Sequence, residues 1–429
     1  MRQLVYVVVV RKMIMNRSRI KKIFKVKRVF LFTVLFGVVV SLTFIKYDFV
    51  TWNGIINNMH LFPELIIGED NLVYAYSGEQ ARTYKNVEAM RVATVLKAGD
   101  RIRTKGFYEP HDGGAAQYQV RKKKPGDVID NGKLISLQNG NVAELVIKGR
   151  MSIRQFGAKE DIMVDNSPII NTALKSAKAI LIPEGRFGIG SIIRLQSGND
   201  VKFNGELYVN TGKRSVSFSF FDGKTETPGY TGVHDVYIHG KGVYDANGIV
   251  AKNGSTPFRV HHCNNIVIEG ITIRDYYYFH AIEVGGTDGF TCRNVTFSGA
   301  IPVVNNAMEA IQIEVISRDG TNGAIPYDGT PTKNVLIESC SFRPSDTNES
   351  VMRCPIGIHN YSKNRPYENV EIKNCVFETT DQKKFGAINF MYNVKNLKIH
   401  NNIFITKGRP AINLYNKTTD AIIRNNEFY

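Results

Sequence analysis

Cysteine and tryptophan are scarce in this chain of 429 residues, which has five Cys and one Trp. Five cysteines cannot staple a chain of this length, so a disulfide scaffold is excluded. The count is also odd, so at least one thiol lacks an intrachain partner. Metal-ligand spacing is absent: His261-His262 has no partner pair that reads as zinc. Clustered aspartates that would hold Ca²⁺ are few. No metal and no other cofactor is expected. Apolar residues at 43% and charged residues at 22% exclude global disorder.

Acidic residues are missing from the first 46 positions, which hold eleven of the 55 Lys and Arg. The formal charge of +16 therefore falls to +5 for the rest of the chain. That leaves too little for a nucleic-acid surface. The basic cluster ends at an uncharged apolar run, Val29–Ile45, at the short end of what spans a bilayer. Charge on its N-terminal side predicts a cytoplasmic N-terminus. The bulky Lys46-Tyr47-Asp48-Phe49 that follows lacks a small-residue cleavage signature. The expected order is a basic cytoplasmic segment (1–28), a transmembrane signal anchor (29–46), a linker or stalk (47–90), a small β domain (91–150) and a larger domain (151–429). The chain would then be a single-pass protein of the cell membrane with its bulk outside.

In the small domain, strands are expected at Val92–Leu96, Asp100–Thr104, Gln117–Val120 and Leu134–Leu137. Beyond about residue 200 one pattern recurs, as in NNIVIEGITI (264–273), TKNVLIESCSF (332–342), YENVEIKNCVF (367–377) and VKNLKIHNNIF (394–404). Its closing apolar residues, Ile273, Phe297, Phe342, Phe377, Phe404 and Phe428, are 24 to 45 positions apart. Short repeats that cannot bury their apolar edge alone must stack, as the coils of a parallel β-helix do. Asn at the coil corners suits left-handed backbone. Cys340 and Cys375 share a repeat position, so they are stacked buried neighbours, either reduced or bridged.

A second strand motif accompanies each copy: PFRVH (257–261), HAIEVG (280–285), EAIQIE (309–314), PIGIH (355–359), GAINFM (386–391) and PAINLY (410–415). Aligned on their apolar pairs, one outward column reads Arg259, Glu283, Gln312, Gly357, Asn389, Asn413. The next reads His261, Gly285, Glu314, His359, Met391, Tyr415. Alternation and rungs about 4.8 Å apart would stack these polar groups on one exposed face.

The segment SIRQFGAKEDIMVDNSPIINTAL (152–174), followed by LIPEGRFGIGS (181–191), resembles the opening of the pectate-lyase superfamily. Phe156-Gly157-Ala158, Asp161, Asp165-Asn166-Ser167, Ile170 and Ala173 match its pattern, while Glu160 and Ile162 replace two usual glycines. LKAGDRIRTKGFYEPHDGGAAQYQV (96–120) is similar to the small β domain preceding the β-helix in tailspikes. The resemblance, tailspike-like and similar to family 28 glycoside hydrolases, covers residues 91–429. It implies an all-β fold, a right-handed parallel β-helix behind a small β domain, with 152–174 as capping helix and first coil. It implies a polysaccharide ligand without naming the reaction. The paired aspartates of the polygalacturonase-like members are absent, and Gly357-Ile358-His359 with Arg365 is only a loose echo of their later residues.

The outward rungs supply the candidate chemistry. Glu283 and Glu314 are the expected acid/base pair, with His359 tuning or relaying a proton. Their expected spacing suits either retaining or inverting glycoside hydrolysis. Arg259, Gln312, Glu309, Asn389, Tyr327 and Tyr361 are the expected substrate-binding residues. Glu309 begins its strand on the inward parity and is also a candidate cap. The expected function is hydrolysis of an acidic, surface or capsular polysaccharide. A polysaccharide lyase and a non-catalytic glycan-binding β-helix that aids exopolysaccharide assembly remain open. The partners expected are the polysaccharide, the membrane and, at the open coil end, further copies of the chain, where a homo-oligomer such as a trimer, or else a short self-turn, would cover strand edges.

Overall fold

The computed structural model describes residues 82–429 except 213–215, 221–228, 253, 255, 302–307, 316–327, 347–349, 359–365, 381–384, 407–409 and 416–417. Before residue 82 it describes 8–9, 11–12, 32–35, 38–41, 66–67 and 72–74. The chain divides into two units, Met1–Ala81 and Arg82–Tyr429.

In the first unit, among the described residues, no helix is long and apolar enough to cross a membrane. Within the expected anchor, Phe32–Leu35 and Val38–Ser41 instead pair as antiparallel strands. The β-branched Val34, Val38, Val39 and Val40 suit that pairing. The remainder of 29–46 lies outside the described residues.

The second unit opens with a five-stranded sheet in the order Leu134–Ser136, Asn141–Leu145, Ala116–Lys122, Arg101–Thr104, Arg82–Tyr84. It therefore draws a strand from the stretch read as linker. The expected strand at Val92–Leu96 does not form. A short helix, Val87–Arg91, ends there, capped by the Asn86 side chain, which accepts from the Ala89 N–H at 2.9 Å. Val92 then turns the chain out of the helix toward Gly99.

From Met151 onward the chain coils through three parallel sheets of ten, nine and eight strands. The first runs from Met151–Ser152 to Ile422–Arg424, the second from Arg186–Ile189 to Glu427–Phe428, and the third from Ile193–Arg194 to Ile412–Leu414. Helix Ser167–Ser176 buries Ile170, Ala173 and Leu174 against the first coil, as the resemblance implied.

The corners between first and second sheets explain the repeat. Each is two residues long. The first has positive φ, at Gly270, Asn294, Ser339, Asn374, Asn401 and Asn425, with φ from 51° to 76°. Asn and Gly tolerate that region at least cost. The second points inward, which is why Cys340 and Cys375 are buried thiols in one line. Cys340 N–H meets Cys375 Sγ at 3.4 Å, and Cys375 N–H donates to Asn402 Oδ1 at 2.9 Å. All five cysteines are free.

Inside the second sheet, Phe297, Phe342, Phe377, Phe404 and Phe428 stack with centroids 4.7 to 5.1 Å apart and ring planes within 8° of parallel. These are the closing residues of the sequence repeat. The first sheet adds an external amide ladder. Asn396 donates to Asn369, and Asn369 to Asn334, each at 2.7 Å, and Asn334 donates to Asp288 at 2.6 Å. Phe stacking from inside and amide bonding from outside both hold successive coils in one register.

Candidate functional site

The third sheet carries the site. Its strands Phe258–His261, Ile282–Gly285, Ile311–Glu314, Ile356–Ile358, Ile388–Phe390 and Ile412–Leu414 are neighbours in that order. Arg259 pairs with Glu283, Glu283 with Gln312, Gln312 with Gly357, Gly357 with Asn389, and Asn389 with Asn413. In the next column His261 pairs with Gly285, and Gly285 with Glu314. Both columns follow the register read from the repeats.

The environment differs from expectation. These outward residues were expected on an exposed face, yet Glu283 is 6% exposed, Gln312 1%, Glu314 2% and Asn389 4%. Inward alternation alone does not fix exposure, because what lies over a sheet is set by connections elsewhere in the chain. Three of the expected residues, His359, Tyr327 and Tyr361, lie outside the described residues.

Burial of several carboxylates demands compensation. Glu283 finds it in His261, whose Nε2 lies 3.2 Å from Oε1, and in Arg259, whose Nε lies 3.9 Å from Oε2. Burial works to raise the Glu283 pKa, but the charges of His261, Arg259 and His280 prevail and hold it below the ordinary glutamate value. Glu314 is pushed the other way. Burial, then the negative charges of Glu283 and Glu309, raise its pKa well above the ordinary value. The Gln312 amide donates to Glu314 Oε1. The pKa values of two neighbouring buried carboxyl groups are thus pushed in opposite directions.

Glu314 lies opposite Gly285, in the column next to that of Glu283.

Glu309 is a third buried carboxyl group on this face. Met308 before it has φ +51°, a left-handed conformation. The Glu309 side chain lies over Gly357, where an added Cβ would come within 2.5 Å of its Cγ. Its Oε2 is 3.0 Å from His280 Nδ1, and it is 2% exposed. Sequence reasoning missed His261 and His280 as carboxylate partners. His261 stood in the aligned outward column, so its signal was available. His280 precedes its strand and gave none. Tyr276 is fully buried, with its hydroxyl donating to the Met308 carbonyl at 3.2 Å.

The described residues include no His/Cys/Asp/Glu group arranged to hold a metal ion. The cluster as built offers one proton donor, two charge-compensated carboxylates and a primary amide.

No protein-family model matches the chain. Plasmin and fibronectin-binding protein A of Streptococcus pneumoniae is 26% identical over 272 residues, spanning 56% of this chain and 37% of the relative. The chain thus matches little more than a third of that curated protein. The crystal structure of PfbA, a surface adhesin of Streptococcus pneumoniae, aligns with TM-score 0.56 at 23% identity, over 65% of this chain and 71% of that one. A tailspike from Acinetobacter baumannii bacteriophage Fri1, a capsular polysaccharide depolymerase, aligns at TM-score 0.41 and 14% identity, over 81% of this chain and 75% of that one. Three stacked parallel sheets and the alignment with the adhesin together identify the chain as a parallel β-helix protein.

Proposed function

We propose that the β-helix acts on a polysaccharide, cleaving glycosidic bonds with the carboxyl cluster of its third sheet. The observation that carries this reading is a pair of buried carboxyl groups on neighbouring strands, Glu283 with His261 at 3.2 Å and Glu314 with the Gln312 amide, whose pKa values are pushed in opposite directions. Glycoside hydrolysis needs that division of labour. Glu314 would give its proton to the glycosidic oxygen as the anomeric C–O bond breaks. Glu283, kept ionised by His261 and Arg259, would stabilise the developing positive charge. A water then bonds to the anomeric carbon, and its proton returns to the carboxyl pair. Gln312, Asn389 and Glu309 line the same face and would position the sugar hydroxyls, with Tyr327, Tyr361 and His359 as the further proposed contacts.

The test is Glu314→Gln and Glu283→Gln assayed on a panel of neutral and acidic bacterial polysaccharides. New reducing ends from the unmodified protein, reduced at least about 100-fold in both variants, are the expected result. Undiminished cleavage by both variants overturns the assignment. Ultraviolet-absorbing unsaturated products would make the chain a lyase instead.

A binding function is a second reading, favoured by the sequence relative whose name records plasmin and fibronectin binding. Surface plasmon resonance with fibronectin and plasmin, alongside the glycan panel, separates the two. We further infer that residues 29–46 hold the β-helix at the outer face of a membrane. The uncharged run and one-sided positive charge support this. A bilayer favours the helical form of such a segment, since helix satisfies its backbone groups internally.

A further inference from the structure

Where the strands Lys333–Glu338 and Tyr367–Lys373 of the first sheet begin lies a cavity of about 420 Å³ that none of the chemistry above uses. Its size falls within the range of small-molecule sites. Tyr230, Pro331 and Pro366 supply apolar surface, and Thr330, Lys333 and Glu368 supply polar groups. It is joined to the cluster on two sides. Thr332, between Pro331 and Lys333, donates its hydroxyl to the Glu314 carbonyl at 2.7 Å. His262, next to His261, meets the Gly229 carbonyl through Nδ1 at 2.7 Å, adjacent to Tyr230. The Tyr230 hydroxyl donates to the Pro331 carbonyl at 2.9 Å, which closes the wall between these two sides.

We propose that this cavity is a subsite for a neutral sugar residue of the polysaccharide, next to the one held at the carboxyl cluster. This rests on the polysaccharide reading above and adds the charge class of the neighbouring sugar. A pyranose has an apolar C–H face and a rim of hydroxyls. Ring and proline surface match the face. An ammonium, a carboxylate and a hydroxyl along one edge supply donors and acceptors for adjacent hydroxyls.

Charge selects neutral over acidic sugars. Lys333 lies in register between Asp288 and Glu368. Its Nζ is 3.2 Å from Asp288 Oδ2 and 4.7 Å from the Tyr230 ring centre. Lys333 is the lining's cation and is already engaged by Asp288, with Glu368 beside it in register, so an incoming uronate would meet a committed ammonium and a like-charged carboxylate.

The test uses the full chain carrying Glu314→Gln, which retains substrate under the hydrolytic reading. Binding is measured by fluorescence anisotropy with labelled glucan, mannan and chitin oligosaccharides and with oligogalacturonate and alginate oligosaccharides. At least one neutral probe should bind. Tyr230→Ala should weaken it about tenfold or more, while Tyr230→Phe stays near the parent because the ring remains. Circular dichroism melting of both variants confirms that they fold. Binding of anionic probes alone, no binding of any neutral probe, or equal affinity in folded Tyr230→Ala overturns the subsite. Neutral binding that depends on Tyr230, without cleavage by the unsubstituted protein, leaves the subsite standing and removes the hydrolytic reading.

Discussion

Replacing Glu314 by glutamine should stabilise the fold, and increasingly so as pH rises. The amide has the carboxyl's shape and, like the protonated acid, carries no charge. In the folded chain, burial and the charges of Glu283 and Glu309 keep the Glu314 proton on well above the ordinary value of 4.5. In the unfolded chain it leaves near that value. A raised acid pKa gives stability that is complete below the unfolded pKa and is lost as pH rises toward the folded one. Over that window each pH unit costs about 1.4 kcal/mol, the free energy of one pKa unit. The stability difference between Glu314→Gln and the parent should therefore grow by about 1.4 kcal/mol from pH 5 to pH 6. Reversible urea unfolding at pH 4.5, 5, 5.5 and 6 measures it. Glu283→Gln should show the opposite trend. Its depressed pKa contributes stability above the unfolded value that disappears as pH falls through the folded one. This variant should be destabilised at pH 6 and approach the parent in acid. A pH-independent difference for Glu314→Gln would refute the protonation assignment and with it the hydrolytic division of roles.

Two further changes probe the scaffold. Phe342→Ala removes a fully buried ring stacked at 4.8 and 4.9 Å between Phe297 and Phe377, and should cost about 3–5 kcal/mol. A loss under about 1 kcal/mol in urea unfolding would show that the stack closes up around the gap. Gly357→Ala would place a Cβ against Glu309 and so displace that carboxylate from His280. It should lower polysaccharide cleavage while shifting the melting midpoint by only a few degrees, since the strand retains its backbone pairing. Unaltered cleavage would remove Glu309 from the site.

The repeat was legible because a β-helix writes its coil period into local residue types. A corner needing φ near +55° selects Asn or Gly, and the position closing the second sheet must stack, which selects Phe. Both signals lie within a few residues, so no long-range information is needed to find them. The paired columns Arg259–Glu283–Gln312 and Gly285–Glu314 followed from the same local alternation, because strands in register inherit the alignment of their sequences. The strand misplaced at Val92–Leu96 illustrates the limit. Its apolar content was read as a strand, whereas Asn86 caps a helix just upstream and sets the course of the chain there.

Protonation and burial belonged to another level. Sequence could place Glu283 beside Gln312, but not show that both would be sealed from water. Glu309 stands ahead of its strand, where alternation does not fix the direction of a side chain, and it lies over Gly357. His280 reached Glu309 from outside its own rung, through a contact that no periodicity encodes. The sequence alone determined the coil, its register and which polar side chains share a sheet, since these follow from local backbone preference repeated along the chain. Only the tertiary structure decided which carboxyl keeps its proton, because that depends on desolvation and on charges brought together from separate coils.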